Sequence, residues 1–383
     1  MVYDFCVLGA TGMQGRIVTR DLLENGYSVM LCGRDKSRVL HFLKKYKRTD
    51  FKYIEATKIH TIKNAVKASK SNVVVNCMEG DWNYEVFKVC LQLGVNCIDL
   101  GSEIPVTKKQ FSLDKDFKRK NIVGITGIGS VPGVGSIMLH YAAEKFDIIE
   151  NVDVGFAWDS NIKEFVVPFS IESVLEEFTD RAPIVRNCHF KYKVPLNNII
   201  REHHRFIGRE NEMFVRHPEQ YTFLHYFKHR GLKNIRFYAG FPDHSLKMIV
   251  SLIKLGFASY KLLDYKGQKI RPINFLTQLL KRLKYPEGYK EKENLWIRIV
   301  GTKNRKRKEI LMECLVPPLK RWEDAGCNID TGMPASILAQ MVKKEEFTHK
   351  GSFSPEISIP PEPFFKELKK RHMRVYENGK VIN

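Results

Sequence analysis

The sequence has 383 residues, of which 43% are hydrophobic and 28% are charged, and its formal net charge is +20. This composition excludes a disordered or fibrous chain, and because one hydrophobic core stops growing at roughly 250 to 300 residues, we expect two domains. The eight cysteines include no Cys-x-x-Cys pair and no cysteine–histidine group at zinc spacing, so we expect reduced thiols and no bound metal.

The N-terminus leads directly into an apolar run, without a basic leader and a small-residue cleavage site. No window reaches the ~18 consecutive apolar residues that a membrane span needs. We therefore expect a cytoplasmic protein that has no membrane partner.

Residues 3–127 contain six short β-type runs separated by segments of helical length and helical periodicity. This alternation predicts βαβ units, and the right-handed crossover rule makes them a doubly wound parallel sheet of the Rossmann type. We assign this dinucleotide-binding domain to residues 1–130. The six predicted strands are YDFCVLGA, YSVMLCG, FKYIEA, NVVVNCM, VNCIDL and NIVGITG.

The run FCVLGATGMQGR (5–16) places three glycines between the first predicted strand and the first helix. The order strand, Gly-x-x-Gly-x-x-Gly, helix is typical of a loop that holds the pyrophosphate of a dinucleotide. The glycines permit a tight turn, a close approach of phosphate to backbone N–H groups and close packing of helix on strand. The predicted cofactor-binding residues of this loop are Gly9, Ala10, Thr11, Gly12, Met13 and Gln14.

The end of the second strand, VMLCGRDKSR, bears on the choice of cofactor. An acidic residue there typically binds the ribose of NAD, whereas an arginine accommodates the 2′-phosphate of NADP. Gly33, Arg34 and Ser37 are the predicted contacts, and Arg34 favours NADP because its guanidinium forms a bidentate pair with phosphate. Asp35 could reach a ribose hydroxyl, so NAD stays an alternative.

The fourth and fifth strands end in residues that should line the path of the cofactor. Asn76, Cys77 and Met78 follow the fourth strand and Asp99 ends the fifth. Ligands of such sheets bind outside the carboxyl ends of the strands. The alternative for Cys77 and Met78 is that they belong only to the core.

Tyr141 and Lys145, in YAAEK, match the Tyr-x-x-x-Lys pattern of short-chain dehydrogenases. The chain contains four such matches, and this one follows the sixth predicted strand, whereas that family places its serine after the fifth. A carbonyl reductase of that type is therefore only an alternative.

From residue 131 the sequence pattern changes. It now contains β-type runs with large side chains, helix candidates and loops rich in histidine and arginine. We expect residues 131–330 to form an α+β substrate domain on an antiparallel or mixed sheet, and a C-terminal segment to occupy 331–383. The densest basic run, KNRKRKE (303–309), separates two β-type segments and predicts a hairpin tip. Without interleaved aromatic residues it does not predict nucleic-acid binding.

Several segments in a shared order resemble the saccharopine dehydrogenase family of NAD(P)-dependent oxidoreductases. GATGMQG, GRDKSRV and VVNCMEGDWNYEVFKVCLQLGVNCIDLGSE are similar to its cofactor domain, and GIGSVPGVGSIMLHYAAEKF to its linking segment. IRFYAGFPDHSLKMIVSLIKLG, TGMPASILAQMV and IPPEPFFKELKKR are similar to its substrate domain and C-terminus. The resemblance implies C-terminal helices that return to the Rossmann domain, and we expect a homodimer.

The resemblance also implies reversible hydride transfer between a nicotinamide and a carbon bonded to nitrogen, with an amino-acid-like or polyamine-type substrate. The chain departs from the family pattern where Val131 replaces an aspartate before Pro132, and where GFAWDSN (155–161) replaces a Tyr-Cys-Gly-Gly-type segment. Saccharopine itself is therefore in doubt. A non-catalytic NADP-binding redox sensor is the second alternative.

The stretch VRHPEQYTF (215–223) resembles a family stretch that carries a histidine and a glutamate. His217 and Glu219 are therefore the candidate catalytic residues, since the neutral pKa of histidine suits proton transfer. Arg216 and Arg236 are the candidate ligands of a substrate carboxylate, and Glu103 follows the fifth strand at the same edge of the sheet.

Overall fold

The structure is a computed structural model that describes residues 1–167 and 171–383. Its first sheet begins with six parallel strands whose residues are mostly buried on both faces, as the continuous apolar runs predict. These strands are β1 (Phe5–Leu8), β2 (Val29–Gly33), β3 (Thr49–Tyr53), β4 (Val73–Asn76), β5 (Asn96–Asp99) and β6 (Val123–Ile125).

The strand order β6-β5-β4-β1-β2-β3 reverses direction between β1 and β4. In a doubly wound sheet, that reversal opens a crevice at the carboxyl ends of the two strands, where ligands bind. The Rossmann-type sheet is thus confirmed. The helices that connect its strands are α1 (Met13–Glu24), α2 (Leu40–Lys45), α3 (Ile59–Ser69), α4 (Asn83–Leu93), α5 (Ile104–Phe111) and α6 (Asp114–Arg119).

A helix, α7 (Val134–Ala143), leads into a second sheet in which β7 pairs in parallel with β12 and antiparallel with β15. The sheet is therefore mixed, one of the two forms expected for the substrate domain. Its strands up to residue 316 are β7 (Ile148–Ser160), β8 (Ala182–Arg186), β9 (His189–Lys193), β10 (Ile200–His204), β11 (Gly208–Phe214), β12 (Asn234–Phe241), β15 (Glu291–Lys303) and β16 (Lys306–Val316).

The remaining elements of this region flank that sheet. A separate small hairpin consists of β13 (Leu263–Tyr265) and β14 (Gln268–Ile270). The basic run lies where β15 turns into β16, with positive φ at Asn304 and Arg305, so it is the hairpin tip that the pattern predicts. The helices are α8 (Ile171–Thr179), α9 (Glu219–Phe227), α10 (Asp243–Lys254) and α11 (Pro272–Leu280).

The C-terminal segment returns to the nucleotide-binding sheet, as expected, but it does so with a strand as well as with helices. The helix α12 (Ile329–Lys343) packs along α1, and Ser336 donates a hydrogen bond to the buried Asp21 of that helix. The strand β17 (Gly351–Phe353) then pairs in parallel with β6 and becomes the seventh strand of the first sheet.

The chain ends in the other sheet. After α13 (Pro361–Lys370), the strand β18 (Arg374–Glu377) pairs with β16, and β19 (Lys380–Val381) completes the edge. Arg371 forms an ion pair with Asp21 at 2.7 Å, which ties this end of the chain to α1. Within the described ranges, no helix combines the length and apolar character needed to cross a bilayer.

Candidate active site

The glycine loop packs against the end of β4, so closely that a side chain does not fit at Gly9. Gly9 has a φ of +76°, and a Cβ there would lie 2.7 Å from the carbonyl oxygen of Cys77. A Cβ on Gly15 would lie 2.1 Å from the carbonyl oxygen of Gly9, so the first turn of α1 rests directly on the loop. Both glycines are required by these backbone contacts.

Gly12 precedes α1 and provides no side-chain cap, so the first N–H groups of that helix have no side-chain partner. A Cβ on Gly12 would contact only the Gly9 carbonyl oxygen, at 3.3 Å, which leaves its other side open. A bare helix N-terminus with its positive dipole end and an open approach fits a dinucleotide pyrophosphate. Met13 is exposed at this point, and Gln14 donates a hydrogen bond to Asn328 at the start of α12, at 3.4 Å.

The end of β2 borders the same loop. A Cβ on Gly33 would lie 2.5 Å from the side chain of Thr11. Asp35 accepts hydrogen bonds from the backbone N (2.9 Å) and the Oγ (2.5 Å) of Ser37, which lower the pKa of Asp35 and close the turn that follows. Arg34 is exposed and has no ion-pair partner among the described residues. Both hydrogen bonds go to the Oδ1 atom of Asp35.

The predicted residues at the ends of β4 and β5 hold loops in place. Asn76 is fully buried and donates to Asn83, whose own amide donates to the carbonyl of Gly101. Asp99 accepts hydrogen bonds from the Gly101 N–H, the Thr126 hydroxyl and the Gln110 amide.

These bonds engage the Asn76 and Asp99 side chains within the protein. Cys77 and Met78 are half-buried, and burial raises the pKa of the Cys77 thiol. What this edge of the sheet offers a cofactor is therefore mainly backbone and half-buried side chains.

His217 lies where β11 passes into α9, and we call this residue and the charged side chains around it the histidine cluster. The Nδ1 atom of His217 lies 2.6 Å from the carboxylate of Glu219, and its ring stacks on Phe237 with 3.9 Å between centroids. Burial alone would lower the pKa of His217, but the carboxylates of Glu219, Glu177 and Glu103 outweigh it and raise that pKa. The imidazole is thus stabilised in its protonated form.

Arg216 connects this cluster to the nucleotide-binding sheet. Its Nε lies 2.8 Å from Glu103, just before α5, and its Nη1 lies 3.3 Å from Asp180. Burial raises the pKa of Glu103, although Arg216 and His217 act in the opposite direction. The structure thus brings together four of the predicted residues, Glu103, Arg216, His217 and Glu219.

Glu177 belongs to the same cluster and was not predicted. It lies on α8, its Oε2 is buried without a hydrogen-bond partner among the described residues, and burial raises its pKa to about 8. In the sequence, the pair Glu176–Glu177 has the pattern of a solvated helix face. No local signal relates it to a histidine 40 positions further along the chain.

Arg236 does not join the cluster, contrary to the expectation that it would bind substrate beside Arg216. It lies on β12 next to Phe237, and successive side chains of a strand point to opposite faces of the sheet. Because Phe237 stacks on His217, Arg236 faces away, where both of its contacts to Asp153 measure 2.6 Å. Its guanidinium is occupied by this bidentate ion pair.

A second group of carboxylates lies between the linking segment and the start of α12. Burial raises the pKa of both Glu293 and Asp330, which contact each other. The Thr331 hydroxyl lies 3.0 Å from Asp330 and 3.3 Å from the Ser130 hydroxyl. Val131, which replaces the family aspartate, is buried, so the polar groups here come from its neighbour Ser130 and from α12.

A Rossmann sheet with a glycine cradle, next to a second domain that supplies a buried histidine and carboxylates, is the arrangement of a dinucleotide-dependent oxidoreductase. Residues 5–125 match the saccharopine dehydrogenase NADP-binding domain, and residues 129–373 match the saccharopine dehydrogenase C-terminal domain. The chain belongs to the saccharopine dehydrogenase family. It is an NAD(P)-dependent oxidoreductase, and NADP is its cofactor.

Two relatives have names that refer to amines. The carboxyaminopropylagmatine dehydrogenase of Synechocystis is 24% identical over 291 residues, which is 73% of this chain and 72% of the relative. The carboxynorspermidine synthase of Vibrio cholerae is 23% identical over 343 residues, covering 84% of this chain and 81% of the relative. Apo saccharopine dehydrogenase (L-Glu forming) from Saccharomyces cerevisiae has the same fold, with a TM-score of 0.76, 11% identity and full coverage of both chains.

Family membership sets aside both alternatives, the redox sensor and the short-chain-type reductase. Tyr141 and Lys145 contact each other, with the Lys145 Nζ 4.2 Å from the centre of the Tyr141 ring, but both are also held by the C-terminal segment: Tyr141 packs against Phe365, and Lys145 forms an ion pair with Glu377 at 2.5 Å. In the described ranges, no group of three histidine, cysteine, aspartate or glutamate side chains is placed to hold a metal.

Proposed function

We propose that this enzyme transfers hydride to and from a C–N bond of a substrate that carries both a carboxylate and cationic amines, and that it prefers NADP to NAD. The names of the two relatives, which combine a carboxyl group with agmatine or with norspermidine, support this substrate class. The exposed Arg34 and the engaged Asp35 support the cofactor preference.

The cluster of Glu103, Glu177, Arg216, His217 and Glu219 carries the proposal. When bound, NADPH would supply the hydride in the condensation direction, and NADP⁺ would accept it in the reverse direction. Condensation of an amine with an aldehyde requires that a proton reach the carbinolamine hydroxyl, which then leaves as water. His217 is the group that provides this proton, because its neighbouring carboxylates keep the imidazolium stable and Glu219 orients the ring.

The charges around His217 suit the two ends of such a substrate. Arg216 is 37% exposed and can exchange one of its two carboxylate partners for a substrate carboxylate. Glu103 and Glu177 then face a cationic amine, whose charge would lower their raised pKa values. Glu293 and Asp330 add two carboxyl groups at the start of α12, and because burial raises the pKa of both, a cationic amine beside them would favour their charged forms.

The test is NADPH oxidation with defined pairs of substrates. Agmatine, 1,3-diaminopropane and lysine would each be combined with an amino acid that bears an aldehyde and, separately, with a 2-oxo acid. We expect turnover when agmatine or 1,3-diaminopropane, the amines left when the C–N bond of each relative's named compound is broken, meets the aldehyde. Turnover that requires lysine and a 2-oxo acid would contradict the proposed substrate class, and it would leave the assignment of His217 to be tested on that pair.

A homodimer, also expected from the sequence, stays a prediction that sedimentation or light scattering can test. Large apolar side chains are exposed on α10, the small hairpin, α11 and the segment after it, which is a surface suited to a second copy. They are Met248, Leu255, Tyr260, Leu262, Leu263, Tyr265, Phe275, Leu279, Leu283 and Tyr285. A monomer at micromolar concentration would refute the homodimer, whereas a dimer unaffected by Leu255→Glu would refute only this surface as its interface.

A further inference from the structure

A cavity of about 370 Å³ lies between the start of β15 and residues 318–326, away from the histidine cluster. Its lining combines aromatic rings with a buried carboxyl group. Tyr285, Tyr289 and Trp322 supply the rings, and the centroids of the two tyrosine rings lie 5.2 Å apart. Glu291, the first residue of β15, supplies the carboxyl group and is only 4% exposed. This combination suits a cationic amine, which binds both to aromatic faces and to carboxylates.

Glu291 has hydrogen-bond partners but no counter-ion. Its Oε1 accepts from the backbone N–H of Cys327 at 2.7 Å, and its Oε2 accepts from the Tyr289 hydroxyl at 3.1 Å. Both donors are neutral, and each carboxylate oxygen can accept one more hydrogen bond. Among the described residues, no basic side chain lies within the 4.0 Å limit of an ion pair with Glu291, and none shifts its pKa, which burial raises. A buried carboxylate is costly without a cation beside it, so Glu291 favours a cationic ligand.

Two lysines also line the cavity, but they do not supply this cation. Lys290 and Lys320 are exposed. Backbone hydrogen bonds and then these two lysines lower the pKa of Glu323, an exposed carboxylate of the same lining. The positive charge of the lysines is therefore offset on the exposed side of the cavity, and Glu291 remains without a counter-ion.

Glu291 belongs to a row of carboxyl groups that reaches the linking segment. Glu293 follows it on the same face of β15, because the side chains of a strand alternate with a period of two, and Glu293 contacts Asp330. The Thr331 hydroxyl connects Asp330 to Ser130. Besides burial, the charge of Glu291 raises the pKa of both Glu293 and Asp330, so the three carboxyl groups are near one another.

A polar group beside this row has no partner. Trp158 of β7 lies directly opposite Glu293 of β15 in the register of the sheet, so both side chains project from the same face. Trp158 is 3% exposed, and its Nε1 has no hydrogen-bond partner among the described residues. Buried polar groups are nearly always hydrogen-bonded, so this exception is explained if a ligand held along the row accepts from the indole N–H.

We propose that this cavity receives the distal cationic group of the amine substrate, with Glu291 as its counter-ion. The rings of Tyr285 and Tyr289 then contact the cation, and the chain of the amine follows the row of carboxyl groups toward Glu293 and Asp330. A molecule with two separated cations matches such a row, whereas a monoamine would leave Glu291 without a counter-ion. This inference rests on the proposed function, whose substrate carries cationic amines, and it adds the place where the second cation binds.

The test measures binding of agmatine, which carries an ammonium and a guanidinium group, to the NADP⁺-saturated enzyme by calorimetry. We expect Glu291→Gln, which can keep both hydrogen-bond partners, to weaken agmatine binding by roughly 10-fold or more, the effect of losing a bond between charged groups. Tyr285→Leu should weaken it about 3-fold, the effect of a partly exposed cation–π contact. Glu323→Gln, in the same lining but exposed beside two lysines, is the control and should change the affinity less than about 2-fold. The affinity for NADPH should stay the same in all three variants.

The other outcomes also decide the matter. If agmatine does not bind at millimolar concentration, or binds equally well to Glu291→Gln, the site is overturned. Equal weakening by Glu291→Gln and Glu323→Gln would attribute the effect to net charge and would also overturn it. Should Glu291→Gln not fold, Tyr285→Leu decides instead, because Tyr285 is 47% exposed and its replacement leaves the core intact.

Failure of this inference can be told apart from failure of the proposed function. Turnover of agmatine with the same KM in Glu291→Gln as in the parent would contradict the cavity alone. Absence of amine turnover in the parent would contradict the proposed function, and the binding measurements would still decide whether the cavity holds a cationic amine.

Discussion

The glycine loop and the histidine cluster both lie at the carboxyl edge of the nucleotide-binding sheet, and they are built in different ways. The loop makes its site from the backbone of one continuous stretch, residues 9–15, packed against the end of β4. The cluster makes its site from side chains that come from α8, the segment before α9, α9 itself and the residue before α5. The glycine loop should therefore be disrupted by substitutions that add a side chain. The histidine cluster should be disrupted by substitutions that remove a charged group.

Glycine substitutions should show the largest effect and test the backbone half of this comparison. In Gly15→Ala the new methyl group would overlap the Gly9 carbonyl, and we expect a loss of about 3 kcal/mol in unfolding free energy, the upper range for overpacking. Gly12→Ala is the matched variant, because its methyl group would approach only the Gly9 carbonyl oxygen, at 3.3 Å, which a small shift can relieve. It should unfold within a few degrees of the parent while its NADPH affinity falls. Equal destabilisation by both changes would refute a loop built on backbone contacts.

Removal of the proposed proton donor should have the next largest effect. We expect His217→Gln to lower kcat by about 100-fold, the lower range for general acid catalysis, with NADPH affinity unchanged. His225→Gln is the control, since His225 lies on α9, which follows the segment that carries His217, and its ring packs among Phe111 and Tyr226. Full activity of His217→Gln on a confirmed substrate would exclude this histidine as the donor.

Arg216 and Arg236, which were both predicted from the sequence to bind a substrate carboxylate, should respond differently to substitution. Arg216→Gln should raise KM about 10-fold by removing a carboxylate ligand, while kcat changes little. Arg236→Gln should leave KM unchanged and cost stability instead, because Asp153 then stays buried without its partner. Because Arg236 is itself half exposed, this cost should be only about 1 to 2 kcal/mol. A KM effect of Arg236→Gln equal to that of Arg216→Gln would contradict the geometry.

The smallest expected effect is a shift in pH dependence. The folded protein raises the pKa of His217, so the protonated form predominates below that pKa, and activity in the condensation direction should fall as the pH rises through it. Glu219→Gln removes one stabilising carboxylate and should move this alkaline limb to lower pH by about one unit. The same linkage applies to folding: the stability that His217 contributes is present at low pH and is lost as the pH rises through its folded pKa. If the alkaline limb of the pH profile does not move in Glu219→Gln, a group other than His217 determines that limb.

Five of the first six strands of the nucleotide-binding sheet could be predicted because each is a short apolar run that is mostly buried, and the edge strand β3, TDFKY, could be placed by its position between two helical segments. The seventh, β17, could not be. It has three residues, too few for a period of two to be visible, and its pairing with β6 spans more than 200 positions of the chain.

Contacts in the site could be predicted where the residues are close in sequence. They could not be predicted where the fold brings together residues from distant elements. His217 and Glu219 lie two positions apart, so their contact could be anticipated, and Arg236 was misplaced because a sequence alone does not tell which face of β12 a residue occupies. The lost aspartate at position 131 seemed to remove an acid from the site, yet Asp330, 199 positions further on, contributes one beside Ser130.

The return of the chain through β17, β18 and β19 has a consequence for how the molecule is made. During synthesis β6 remains an unpaired edge until residues 351–353 are available, and β16 remains one until residues 374–377 follow. The sheet translated first is therefore completed only after most of the second has been made, and a cut in the gene between the two sheets would separate β6 from β17. A stop codon before residue 351 would leave two open edges, each able to pair with another chain.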